Sequence, residues 1–169
     1  MNLQEIITNG IIPASAAIIA FAEYKRTVQH TILEFLSQGN TDIEKDRRKR
    51  IYKEFEAKNH NLNLEDLELL DKDGDVGKII SFYDAWATVV KQHYLPIKYF
   101  KGINGVTAVR LYYIIEPYID YRRSRDTTIK HDDKNIVLLN DSYAKNYEWL
   151  IKKIIDKNYV KTIEQNEQS

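Results

Sequence analysis

Residues 79–121, IISFYDAWATVVKQHYLPIKYFKGINGVTAVRLYYIIEPYIDY, decide the fold. Ile79, Tyr83, Trp86, Val90 and His93 recur at spacings of three and four, and Phe82, Val89 and Tyr94 widen the stripe. The first half therefore predicts a helix covered over most of its circumference. Pro96 restricts the residue before it and has no amide to donate, which ends that helix near Tyr94-Leu95 and suits a short helical piece from Pro96 to Phe100. Gly102 and Gly105 let the chain reverse. Val106, Val109, Tyr112, Tyr113, Ile114, Tyr118 and Ile119 then supply a second apolar face, and the two arms read as an antiparallel αα-hairpin. Pro117 lies inside the second arm, where a lost hydrogen bond predicts a kink near Tyr113 or an early end.

Outward from this hairpin the pattern stays helical. In the N-terminal direction, the turn Asp71-Lys-Asp-Gly-Asp75 spaces its carboxylates like the start of an EF-hand loop. The match fails, because Val76 stands where the loop needs its glycine and Phe82 where it needs its glutamate. A turn that stops one helix and caps the next, with Asp75 near the N-terminal dipole, accounts for the same residues. Before it, Leu64, Leu67 and Leu70 predict a short helix with Asn63 as N-cap, after a polar break at 59–63. Thr41 or Asp42 caps a longer helix carrying the basic run Asp46-Arg-Arg-Lys-Arg50, whose apolar residues Ile51, Tyr52 and Phe55 give one narrow buried edge. Glu44, Asp46, Glu54 and Glu56 interleave with that run and offer it intrahelical partners, so a solvated face is expected rather than a phosphate grip.

The N-terminal apolar run 11–22 includes Pro13 and Ser15, follows Asn9 and Gly10, and precedes Lys25 and Arg26. It is short and polar at one end for a bilayer span, which needs about 20 apolar residues, and Glu5 stands where a secretory signal would be basic. The reading preferred here is a helix that starts near Pro13, packs Ile18, Ile19 and Phe21 into a core or an oligomer, continues through Val28, Ile32, Phe35 and Leu36, and ends at 37–40 with Gly39 left-handed. A membrane anchor through 11–22 is the alternative. The expected division is 1–22 as this apolar segment, 23–160 as the helical domain and 161–169 as a frayed polar tail.

On the C-terminal side, Arg122, Arg123 and Arg125 complement a helix C-terminus, and a polar loop is expected from Asp126 to Lys134. His131, Asp132 and Asp133 are metal ligands by type but make a poor cage alone, and no metal or cofactor is expected. His30, His60 and His93 are scattered, with no zinc spacing. Asn140 or Asp141 is the expected cap of a last helix whose face is Tyr143, Tyr147, Leu150, Ile151, Ile154 and Ile155.

The chain has 169 residues, enough for one core of ordinary size and too few for two comfortable domains. Its 25 basic and 25 acidic residues balance, which speaks against a dedicated nucleic-acid binder. Up to Ala85 there are 11 Lys and Arg against 15 Asp and Glu, and from Trp86 onward 14 against 10, so the halves are expected to pair with each other. No cysteine is present, which rules out disulfides and thiolate zinc and fits a reducing compartment.

The fold class expected is all-α, a single-domain bundle of about five to six helices around the central αα-hairpin. No phosphate loop, nucleophile elbow or framed carboxylate pair is legible, which lowers the expectation of an enzyme. Asp84, Arg110 and Glu116 are candidates for a buried polar network between the hairpin arms. Arg47, Arg48, Arg50, Arg122, Arg123 and Arg125 are the interaction candidates.

The order of Arg47-Arg-Lys-Arg-Ile-Tyr52, Ser81-Phe-Tyr-Asp-Ala-Trp-Ala-Thr-Val89, Arg110-Leu-Tyr-Tyr-Ile-Ile-Glu-Pro-Tyr-Ile119 and Asn146-Tyr-Glu-Trp-Leu150 resembles small bacterial and phage helical proteins known only as a domain of unknown function. Members of that family often carry an N-terminal membrane helix. The resemblance implies an all-α fold and an anchor, and brings no activity or catalytic residue; this chain departs from it in a shorter and more polar anchor run. The expected function is a non-catalytic helical module for a protein partner or a homo-oligomer, in the cytoplasm or on the cytoplasmic face of the inner membrane. The alternatives are a phage or mobile-element inhibitor of a host nuclease, and a small nucleotide- or metabolite-binding enzyme.

Overall fold

The computed structural model describes residues 12–125, 127–131, 134–138 and 140–160, and side chains within 16–125 and 140–160. The chain forms two units, Met1–Gly39 and Asn40–Ser169. The boundary falls after Gly39, not after Ala22, because one helix runs unbroken across the 22/23 position. The tail 161–169 lies outside the described residues.

In the first unit, α1 spans Ile12–Gly39. Thr27 and Thr31 donate their hydroxyls to the carbonyls of Glu23 and Thr27, at 3.0 and 2.9 Å, and the Lys25 ammonium lies 4.8 Å from the Phe21 ring centroid. Gly39 ends the helix without a left-handed φ, contrary to expectation.

The second unit is a bundle of α2 (Asp42–Ala57), α3 (Leu64–Asp71), α4 (Asp75–Lys91), a short 3-10 turn (Ile97–Phe100), α5 (Ile103–Arg123) and α6 (Lys145–Asp156). Local signals place most of these ends. Thr41 accepts from the Glu44 amide at the start of α2, and Asn63 forms a capping box with Asp66 at the start of α3. The Pro96 break yields the 3-10 turn, and Gly102, at φ +76°, opens α5. Gly105 cannot carry a side chain, since a Cβ there would lie 2.0 Å from the Phe100 carbonyl oxygen.

The helix α5 continues through Pro117 to Arg123 and does not end early. Pro117 and Tyr113 are both exposed, so water can reach the Tyr113 carbonyl that the proline leaves without an amide. His93 falls beyond α4, exposed and at φ +64°, so it is a turn residue rather than a member of the helix face.

The core is built from the two expected arms and a third element. Each of α4 and α5 packs more closely on α6 than on the other. Tyr147 of α6, with no exposed surface, stacks on Tyr83 of α4 at 4.8 Å and meets Tyr112 of α5 edge-on at 5.2 Å. Its hydroxyl donates to the Ala108 carbonyl at 2.7 Å. Burial drives the Tyr147 phenol well above its ordinary pKa, so it stays a neutral donor. Ile79 and Trp86 of α4, Leu111 and Ile115 of α5, and Leu150 and Ile154 of α6 are buried as well.

Between α5 and α6 the expected loop is in part a two-stranded antiparallel hairpin, β1 (Thr127–His131) and β2 (Lys134–Leu138), with Ile129 opposite Ile136. Its β-branched residues on either side of Asp132-Asp133 are the signal a reading for helices passes over. The ligand candidates His131, Asp132 and Asp133 lie outside the described side chains.

Candidate functional site

Among the described residues of the second unit, four groups of charged side chains stand out, and three of them hold helices together. The first is the acidic turn. Asp71 accepts from the Gly77 amide at 2.6 Å with one oxygen and from the Tyr118 hydroxyl at 2.5 Å with the other. Arg122 donates to the Tyr118 oxygen at 3.0 Å and lies over the Tyr143 ring. Burial, followed by the Asp71 bond, pushes the Tyr118 phenol up to about 12.

Asp75, 2% exposed, accepts two hydrogen bonds from Arg50, at 2.5 and 2.8 Å, with Arg47 at 3.7 Å. Arg47 also pairs with Glu44. The EF-hand-like turn is thus a strut that carries α2 and α5 on the α3–α4 corner. Among the described residues no group of His, Asp and Glu could hold a metal.

The second place is the start of α6. Ala144 at φ +56° offers no side-chain cap. Asp84 of α4 supplies it, accepting from the Asn146 and Tyr147 amides at 2.9 and 3.0 Å and from the Asn146 side chain at 3.2 Å. The expected caps do other work: Asn140 donates to the Arg125 carbonyl at 2.6 Å, and Asp141 pairs with Lys145 at 3.6 Å.

In the third place, Arg123 donates to the Tyr143 carbonyl at 2.8 Å and to Glu148 at 2.9 Å. Lys152 and then Arg123 hold the Glu148 carboxyl below its ordinary pKa against the opposing effect of burial. Arg125 bonds the Tyr121 hydroxyl.

The predicted network of Asp84, Arg110 and Glu116 does not form, since the three make no hydrogen bond or ion pair with one another. Asp84 caps α6. Glu116 has its pKa raised by burial and by the charges of Asp120 and Glu148. Arg110 lies 4.5 Å over the Tyr52 ring of α2 and 3.8 Å from Glu56. Nor do the two charge halves mainly pair across Ala85: among the described residues most ion pairs stay within a half, and Arg110–Glu56 is the exception.

The fourth place is the outer side of α2. Glu44, Arg47, Arg50 and Glu54 turn toward Asp75 or the depression beside α3. Lys45, Arg48, Lys49, Tyr52, Lys53 and Glu56 line a separate depression of about 490 Å³. Charges that interleave in sequence are therefore sorted onto two sides of the helix, because 3.6 residues per turn places 45, 49, 52, 53 and 56 together. Arg48 bonds the Tyr83 hydroxyl, while Lys49 and Lys53 form no ion pair among the described residues. Burial raises the Tyr52 phenol pKa, opposed by Arg110 and Arg48. Lys45, Lys49, Tyr52 and Lys53 are not among the interaction candidates that the sequence offered; a helical projection of α2 was the signal that could have found them.

A family model described as a domain of unknown function, DUF4760, matches residues 10–154, a range that includes all of α1 and reaches the last turn of α6. The chain belongs to the DUF4760 family. No curated protein and no solved structure matches it. The DUF4760 match spans both units, including the apolar stretch of α1. There residues 16–22 are all exposed, with Ile18, Ile19 and Phe21 at 70, 63 and 59%. No helix is long and apolar enough to cross a membrane among the described residues.

Proposed function

We propose that this chain is a non-catalytic helical interaction module that joins a protein partner or further copies of itself through the first half of α1. The observation that supports this is the unbroken apolar and exposed run 16–22, with Leu33 exposed further along the same helix. Apolar residues all round a helix are stable in water only when something covers them, and each large side chain covered contributes about 1.5–3 kcal/mol. Three carboxylates of the second unit are meanwhile occupied in joining helices: Asp71, Asp75 and Asp84 bind backbone, hydroxyl or guanidinium groups. A cytoplasmic setting accords with the lack of cysteine.

The test is sedimentation of the full chain beside a form lacking residues 1–22. The full chain is expected as an oligomer, or as a stoichiometric complex when isolated from its source cells, and the shortened form as a folded monomer. A monomeric full chain that floats with lipid vesicles instead makes 11–22 an anchor. Reproducible turnover of a metabolite or nucleotide, lost on changing Asp84, Arg110 or Glu116, overturns the module reading in favour of an enzyme.

A further inference from the structure

The helix α5 presents a second stripe with the wrong surroundings for a solvated face. Ile103, Val106, Arg110, Tyr113 and Pro117 follow one another at spacings of three and four, and all five are exposed, Ile103 by 81% and Tyr113 by 52%. That is the spacing with which one helix receives another. The stripe meets the basic side of α2 at its middle residue, where the Arg110 guanidinium lies 4.5 Å over the Tyr52 ring and 3.8 Å from Glu56. One continuous surface results. Its α2 side, from Lys45 to Glu56, is about 16 Å long and its α5 side, from Ile103 to Pro117, about 21 Å, at 1.5 Å per residue. The α2 side carries Lys45, Arg48, Lys49 and Lys53 around the 490 Å³ depression, with Glu56 among them; the exposed Asp42 lies 3.6 Å from Lys45, and Arg48 bonds the Tyr83 hydroxyl.

We propose that this surface docks an acidic amphipathic helix of a partner protein, about three to four turns long, whose apolar side covers Ile103, Val106 and Tyr113 and whose carboxylates meet Lys45, Lys49 and Lys53. The chemistry selects this occupant. A nucleic-acid backbone would satisfy the lysines but leave the α5 stripe wet, and Glu56 would repel it. An acidic helix satisfies both sides, and its charges would set the rate and register of docking. The inference rests on the reading of the chain as an interaction module, but on residues other than those of the α1 run.

The probe is a synthetic 20-residue amphipathic peptide with leucines on one side flanked by glutamates, titrated into the full chain by fluorescence anisotropy at low and high salt. Saturable binding that weakens with salt is expected. The triple variant Lys45→Glu/Lys49→Glu/Lys53→Glu is expected to weaken it on the order of tenfold or more, as is Val106→Ser/Tyr113→Ser, and Ile18→Ser/Phe21→Ser to leave it unchanged. Circular dichroism and the urea midpoint establish that each variant is folded, which the exposure of every changed side chain favours. Loss of binding in Ile18→Ser/Phe21→Ser alone places the peptide on α1 and overturns the proposal, as does no saturable binding. Tighter binding of a 20-nucleotide oligo(dT), or of phosphatidylserine vesicles, through the same lysines overturns it in favour of that ligand. Peptide binding by a chain that neither self-associates nor is isolated with a partner held through residues 1–22 sinks the α1 reading and leaves this one standing.

Discussion

The two sides of α2 carry similar residues and do opposite things. On one side Arg47 and Arg50 reach Asp75, a buried carboxylate 25 residues beyond Arg50, and the helix is tied to the bundle. On the other, Lys49 and Lys53 meet no anion among the described residues, although Glu54 and Glu56 are close in sequence. The difference is not in the basic residues but in what the neighbouring helices bring opposite them. The α3–α4 turn offers a carboxylate; α5 offers Arg110 and an apolar stripe. A basic run becomes a strut where a buried anion faces it and a surface where none does.

Three measurements separate the part of the molecule that is committed to folding from the part that is not. The largest effect is expected in the core. Trp86→Ala is expected to cost about 3–5 kcal/mol in urea unfolding, the range for truncating a buried large aromatic, whereas Tyr113→Ala, on the exposed stripe, is expected to stay within about 0.5 kcal/mol. Equal losses would show that the α5 stripe is part of the core.

Asp75→Ala comes next. It removes two charged hydrogen bonds, leaving Arg50 without its anion and Arg47 with Glu44 alone, at an expected cost of about 1.5–3 kcal/mol. Arg50 is half exposed and can turn to water, which keeps the loss below that of a fully buried pair. A variant with wild-type stability would put both sides of α2 on the same footing and erase the contrast.

The smallest effect is a matter of pH. Burial first, then Asp120 and Glu148, raise the Glu116 pKa in the folded chain. The folded state therefore binds the proton more tightly than the unfolded one, and stability falls as pH rises from the unfolded pKa, about 4.3, through the folded one. Glu116→Gln is expected to raise the urea midpoint at pH 7 and to leave it nearly unchanged at pH 4. An equal gain at both pH values would mean that the carboxylate's shape, not its charge, is what the site resists.

Much of this architecture could be read from neighbouring residues. The helix spans, the Thr41 and Asn63 caps, the Pro96 break and the apolar side of α6 each depend on groups within about four residues along the chain, and a chain segment carries that information wherever it is placed. The hairpin of β1 and β2 was legible too, in two β-branched runs two residues apart, but the strongly helical context pointed the reading elsewhere.

What the sequence by itself determined is thus the set of helices and which of their sides are apolar. The tertiary structure alone decided the partners: that Asp84 caps a helix 62 residues away, that Tyr147 joins the two arms, and that Arg47 and Arg50 are occupied while Lys49 and Lys53 are not. The reason is physical. Helix formation is governed by spacings of three and four, but a side chain's hydrogen bonds and exposure depend on which distant element packs against it, and several packings satisfy the same apolar pattern.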